Sequence, residues 1–454
     1  MAGAPRGRAR PRPYSRSVSP AASLAAGGLI LAALLFNMAL ARINAAVMPL
    51  NQGHVIAAEA VIVVAAIAVG LFALTRASIP IFLFMLAIIA WGMLLSIVNG
   101  TFDPKVIRDA MIIPAFVLLG AAYHPRSITA LMGTVTAIVL AVMAFEALAT
   151  PLYESLLHIK SYYINTRGFE ESGFWNTDSD LFVSATRPGG DRFVFDFLGP
   201  HRLSSIFLEP VSLGNFAVAI MVFLVGFWAA MTPLQRGFFA AAFAATAIGS
   251  DGRLATVLGL LIAATAPFAR HLPRYAPLAY LPVAAVLAAA AVSVFGFQVE
   301  DNFPGRLAVM VELFRDMSLS IGIGLDRDWP GFATRALDSG LVYLIATQSI
   351  FGALALWVFA AVALPQRDGR GIALTHAVCL TMALTLLVSY SFFSIKFGAL
   401  IWFIYGYAFR AAETEPASID GARPGPEGAS APRRRGGPGA RDRAPVPSPP
   451  VPSP

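Results

Sequence analysis

Charged side chains are scarce in this sequence. They make up 13% of its 454 residues, against 57% hydrophobic residues and a mean hydropathy of +0.69, whereas soluble domains carry roughly a quarter charged residues. That deficit excludes a soluble globular protein. Cysteine is nearly absent: the single Cys379 lies inside an apolar run, forms no intrachain disulfide and reads as a small buried hydrophobe. The histidines His54, His124, His158, His201, His271 and His376 are scattered without metal-ligand spacing, and no Walker-type glycine loop occurs. The GIGL run at 322–325 is too short for a dinucleotide fingerprint. Metal centres, soluble cofactors and ATP-driven pumping are therefore not expected.

What is abundant is apolar sequence, in blocks of about 18 to 25 residues bounded by Arg, Pro, Asn or Gly, and a helix needs about 20 such residues to cross the hydrocarbon core. The blocks fall at about 21–41, 54–74, 79–98, 106–122, 128–149, 205–230, 237–248, 254–269, 276–297, 340–363, 372–391 and 397–409. The fold class expected is all-α, a polytopic membrane protein of about 12 transmembrane helices. The runs at 237–248 and 397–409 are the shortest. The first run follows a basic segment in the manner of a signal peptide, but it exceeds a usual signal core and more spans follow, which favours an uncleaved helix.

The net charge of +7 lies mostly in the two ends and in short turns, which suits the anionic inner leaflet of a membrane better than nucleic acid. Residues 1–19 hold Arg6, Arg8, Arg10, Arg12 and Arg16 among Pro, Ser and Gly; residues 411–454 are rich in Pro, Gly, Ala and Arg. Both read as disordered, flanking a membrane domain at 20–410. Every second short turn carries Arg: Arg76, Arg126, Arg236, Arg270 with Arg274, Arg367 with Arg370, then Arg410 with Arg433–Arg435. The positive-inside rule then puts these turns and both termini in the cytoplasm. The opposite turns are poorer in basic residues, NGTFDPK, SDGR and SIK bearing one or two each.

Two long connections, about 150–204 and 298–339, fall on the outer side, where connections beyond about 15 residues are usually functional or disordered. The first mixes Tyr162, Tyr163, Phe169, Phe174, Trp175, Phe182, Phe193, Phe195 and Phe197 with Arg and Asp, the wrong composition for disorder. Charged residues at membrane depth are candidates for function. Glu209, just before Pro210, sits at the outer mouth of a span, as a helix cap, a partner of Arg202 or a chemical group. Asp338, before Ser339 and Gly340, repeats that position. Arg253 stands at an outward turn, as a phosphate ligand or a headgroup anchor. Arg306 opens an amphipathic stretch with Leu307, Met310, Val311 and Phe314 on one face and Glu312, Arg315 and Asp316 on the other, lying on the membrane surface or packed on the bundle. For Glu59, Glu146 and His376 the expectation is interhelical hydrogen bonding.

Four segments taken in order, RLSSIFLEPVSLGNF (202–216), GSDGRLA (249–255), GRLAVMVELFRDMSLSIGIGL (305–325) and DSGLVYLIATQSIFGALAL (338–356), resemble segments of the O-antigen polymerase and ligase superfamily, over about a third of the chain. The resemblance implies a C-type, metal-independent glycosyltransferase without cofactors, acting on undecaprenyl-diphosphate-linked oligosaccharide at the outer face of a bacterial inner membrane, with membrane lipid and a protein that sets chain length as partners. Ligases of the superfamily carry a histidine where this chain reads DSGLVYLIATQSIFG, so the resemblance favours a Wzy-type polymerase over a ligase. For that reaction arginines at the outer mouth can neutralise the departing diphosphate and a carboxylate can take the acceptor's proton, so Arg202, Arg253 and Arg306 are expected at the diphosphate and Glu209 or Asp338 in the role of base.

Overall fold

The computed structural model describes residues 19–124, 128–174, 179–186, 192–193, 195–269, 271–300, 302–327, 339–366 and 369–414. Most of both expected tails, and Arg126, Trp175, Arg270, Asp338, Arg367 and Arg433–Arg435, lie outside them. By its contacts the chain divides into Met1–Glu415, which carries the helices, and Pro416–Pro454.

Every regular element among the described residues is helical. The helices are α1 (Pro20–Ala46), α2 (Gln52–Phe72), α3 (Ile79–Val98), α4 (Pro104–Ala121), α5 (Ile128–Leu148), α6 (Thr150–Leu157), α7 (Ile159–Arg167), α8 (Pro210–Phe227), α9 (Pro233–Ser250), α10 (Arg253–Ala269), α11 (Pro277–Phe295), α12 (Phe303–Asp316), α13 (Leu319–Ile323), α14 (Gly340–Val362), α15 (Gly369–Val388) and α16 (Ile395–Thr414). Each of the twelve apolar runs coincides with one long helix. Eight of the twelve, α1, α2, α3, α5, α8, α11, α14 and α15, are long and apolar enough to cross a membrane.

Local chemistry explains where the helices begin. Proline occupies the first turn of α1, α3, α4, α8, α9, α11 and α12, where its missing N–H has no intrahelical acceptor to lose. The run read at 237–248 is longer as a helix because Thr232 and Gln235 form a reciprocal capping box that starts α9 at Pro233. Helix α14 breaks at Ser349, whose φ of 59° is left-handed. The carbonyls left without helical partners are taken by Trp91 Nε1 (to Gln348, 2.7 Å) and the Arg327 guanidinium (to Thr347, 2.8 Å).

Helix α4 is buried along nearly its whole length and packs on α16 through glycine. A Cβ at Gly406 would lie 2.0 Å from the Val117 carbonyl oxygen, and one at Gly120 would lie 2.1 Å from that of Phe403. Two backbones meet there as small residues allow in membrane bundles. Gly406→Val should therefore force the helices apart and cost about 3 kcal/mol or more, read as a lower unfolding temperature in detergent; Gly133→Val, at a site with open space around it, should change little.

The connection between α5 and α8 has a core of its own. Tyr153, Leu157, Tyr162, Tyr163, Phe174, Leu181 and Ala185 pack with Leu208 and with Ala41 of α1. Of the aromatic residues of this connection, Tyr162, Tyr163 and Phe174 belong to this core, whereas Phe169, Phe193, Phe195 and Phe197 are exposed. The amphipathic stretch opened by Arg306 is α12, and its Leu307, Met310 and Val311 are buried against the bundle.

Candidate functional site

The segment 202–209 is held in a strained shape by groups of α5 and α6. Ser205 and Leu208 adopt left-handed φ values of 51° and 63°, a conformation that costs a non-glycine residue about 1 to 3 kcal/mol and persists only where surroundings impose it. From α5, the buried Glu146 accepts the backbone N–H groups of Ser204 (2.8 Å) and Ser205 (2.6 Å). Tyr153 donates to the Ser205 carbonyl at 2.6 Å, and the Ser205 hydroxyl donates to Val139 of α5 at 2.7 Å. Glu146 thus anchors a connection rather than bridging helices. The interhelical expectation holds for the other two residues: Glu59 pairs with Arg108 between α2 and α4, and His376 meets the Tyr280 hydroxyl between α15 and α11.

Arginines close the end of α9, whose last carbonyls lack intrahelical donors. Arg192 donates to the Ile248 and Gly249 carbonyls and, at 2.6 Å, to His201. Arg202 donates from Nε to Ser250 and from its terminal nitrogen to Ser184, both at 3.0 Å. Cations at a helix C-terminus also complement its dipole. Arg202 is therefore in part a structural clamp.

Arg202, Arg253 and Arg306, expected together at the diphosphate, line one cavity of about 580 Å³. Its walls include the first turns of α8 (Val211, Gly214), α10 (Arg253, Leu254) and α12 (Phe303), and the end of α15. Backbone N–H groups unpaired at helix starts favour anions. Arg253 is exposed and lies over the Phe193 ring, 5.9 Å from its centroid. Arg306 is half-buried and reaches the Val388 carbonyl at 3.4 Å.

Glu209 is not in the wall of that cavity. It occupies the N-cap of α8 but makes no side-chain cap hydrogen bond, and it forms ion pairs with Arg167 (2.8 Å) and Lys396 (3.1 Å) rather than Arg202. Tyr163 donates to the same oxygen at 2.7 Å, and Ser212 donates to the other at 2.9 Å. Both expected structural roles, cap and Arg202 partner, are thereby replaced. A hydrogen-bonded chain continues from Tyr163 through Asn37 to the Tyr162 hydroxyl. Burial works against ionisation of Glu209, but the Arg167 and Lys396 cations and the Tyr163 hydroxyl outweigh it, lowering the carboxyl to about 2. A carboxylate so stabilised is a weak proton acceptor.

Asp338 lies outside the described residues. Two positions on, Gly340 packs so closely on the Ser389 backbone that a Cβ would stand 2.3 Å from its carbonyl oxygen, and Ser389 lines the arginine cavity. Among the described residues no group of His, Cys, Asp and Glu is disposed to hold a metal ion.

Sequence reasoning missed Arg167, Tyr163 and Lys396 as a unit. Lys396, in SIK, reads in the sequence as a residue of an outward turn, although a lone lysine opening an apolar run is the kind of membrane-depth charge that signals function. Arg108 and Asp109, in α4, carry the same signal.

The long apolar helices among the described residues define a helical, multi-pass membrane protein. No family model, curated protein or solved structure matches the chain.

Proposed function

We propose that the chain is a polysaccharide polymerase that moves a growing glycan from its lipid diphosphate to a hydroxyl of the next lipid-linked repeat. All twelve long helices cross the membrane in this reading, both termini are cytoplasmic, and the connections at 150–204 and 298–339 stand outside a bacterial inner membrane. The observation that carries it is the meeting of Arg202, Arg253 and Arg306, from segments distant in sequence, on one cavity at the starts of three helices.

The reaction forms one glycosidic bond and breaks the bond between the anomeric carbon and the diphosphate, so negative charge grows on the departing lipid diphosphate. Arginine forks and helix-start N–H groups aimed at that charge stabilise the transition state without reorganising. The acceptor hydroxyl loses a proton to a carboxylate. Glu209 is committed to Arg167 and Lys396 as an anion, which leaves the base role to Asp338 and gives Glu209 the task of holding two cations and the segment 202–209 in place. The activated donor makes ATP and metal unnecessary. Purified chain reconstituted with lipid-linked repeats should build a ladder of longer glycans; movement of substrate across the bilayer without elongation would favour a transporter instead.

A further inference from the structure

A second, smaller cavity, of about 80 Å³, lies among α2, α4, α7 and α16. It is separated from the arginine cavity by one short connection: Val388, Ser389 and Ser391 face the larger space, while Tyr390, Phe393 and Lys396 face the smaller. Its charged wall comprises Lys105, Arg108, Arg167 and Lys396, with Glu59 and Asp109. The chain contains only three lysines, and two are here.

The pairing within this wall is uneven. Arg108 is saturated by acids, donating to Asp109 at 2.6 and 3.0 Å and pairing with Glu59. Asp109 also accepts the Tyr343 hydroxyl at 2.7 Å. Glu209, behind the wall, serves both Arg167 and Lys396. With Glu209 counted, four cations face three carboxylates. Lys105 is the one left over: its ammonium lies 5.6 and 5.8 Å from the Tyr343 and Tyr390 ring centroids, and it forms no ion pair among the described residues. Lys396 has three N–H donors, two of which go to Glu209 and Tyr163.

Lys105 is half-buried, and an unpaired cation partly withdrawn from water attracts an anion into the space beside it. The volume admits a few waters or one compact ion and is too small for a sugar ring. We infer that this cavity is a second anion site, binding a single phosphate group between Lys105 and Lys396, next to the arginine cavity and across the 389–394 connection from it. The phosphate belongs either to a lipid-linked diphosphate or to free inorganic phosphate. The inference does not depend on the polymerase reading.

The test follows the unfolding temperature of the purified full chain in detergent during titration with inorganic phosphate or with geranyl diphosphate, against sodium chloride at equal ionic strength. Stabilisation by both assigns the site to the phosphate group itself; stabilisation by geranyl diphosphate alone assigns it to the lipid-linked source. In Lys105→Gln, which breaks no ion pair and should unfold at the wild-type temperature without ligand, the apparent Kd is expected to rise about tenfold, as for loss of one charge-assisted hydrogen bond. In Arg253→Gln this response should persist. Absence of stabilisation in the wild type, an unchanged Kd in Lys105→Gln, or equal weakening in both variants overturns the assignment. A response lost in Arg253→Gln and kept in Lys105→Gln would place the anion in the arginine cavity, overturning this proposal while supporting the diphosphate reading.

Discussion

Arg253→Lys should reduce glycan elongation about a hundredfold while leaving the fold intact. The magnitude is that of removing one preorganised donor from a charge-stabilising site. Lysine keeps the positive charge but loses the planar fork that meets two phosphate oxygens at once, so the exchange is not conservative. Arg253 is the decisive arginine of the three because it is exposed and lies over the Phe193 ring without holding a backbone carbonyl among the described residues. Arg202, by contrast, holds the Ser250 and Ser184 carbonyls, and its replacement would mix lost chemistry with a loosened segment. Elongation assayed beside unfolding temperature separates the two effects: unchanged elongation in a folded Arg253→Lys protein would remove the central arginine from the diphosphate site.

Glu209→Leu should destabilise the protein by about 3 kcal/mol, because it leaves Arg167 and Lys396 facing each other with no carboxylate between them. The figure sits at the lower end for a buried pair because the Arg167 side chain is 42% exposed, whereas that of Lys396 is 5% exposed. Adding Lys396→Met should recover part of the loss, since one of the uncompensated cations is then gone. The same carboxylate gives the protein an acid limb. Its folded titration lies at about 2 against an ordinary 4.5, so its contribution is complete above about pH 4.5 and fades as pH falls towards 2. Unfolding temperature in the wild type should drop across that window. Glu209→Gln should lack this component, and an identical acid profile in both proteins would mean that Glu209 titrates normally.

The sequence disclosed the helices well because apolar length is a strong, local signal. The run at 79–98 is α3 residue for residue, and 128–149 and 254–269 differ from α5 and α10 by one residue each. For the two shortest runs a polar residue displaced the limits. Arg236 hid the first turn of α9, which Thr232 caps. Lys396 hid the start of α16, and the charged last turn after Phe409 hid its end. At α9 the reciprocal cap, not hydropathy, sets the helix start.

The site was legible only in part. Pro210 after Glu209 marked a helix mouth, and the ordered motifs grouped three arginines that line one cavity. The partners of Glu209 were not legible, because Tyr163, Arg167 and Lys396 come from an aromatic connection and a helix start far away in the chain. Nothing local in the sequence says that Ser205 and Leu208 take left-handed backbone; that follows from Glu146 and Tyr153 gripping the segment. Nor does spacing reveal that one short connection divides two charged cavities.

The most direct test of the central claim is the stoichiometry of elongation by purified chain in vesicles supplied with lipid-linked repeats and no nucleotide or divalent metal. One lipid diphosphate released for each new glycosidic linkage, with glycans lengthening in steps of one repeat, is the result expected. Repeats crossing the bilayer with no lipid diphosphate released and no lengthening would contradict it.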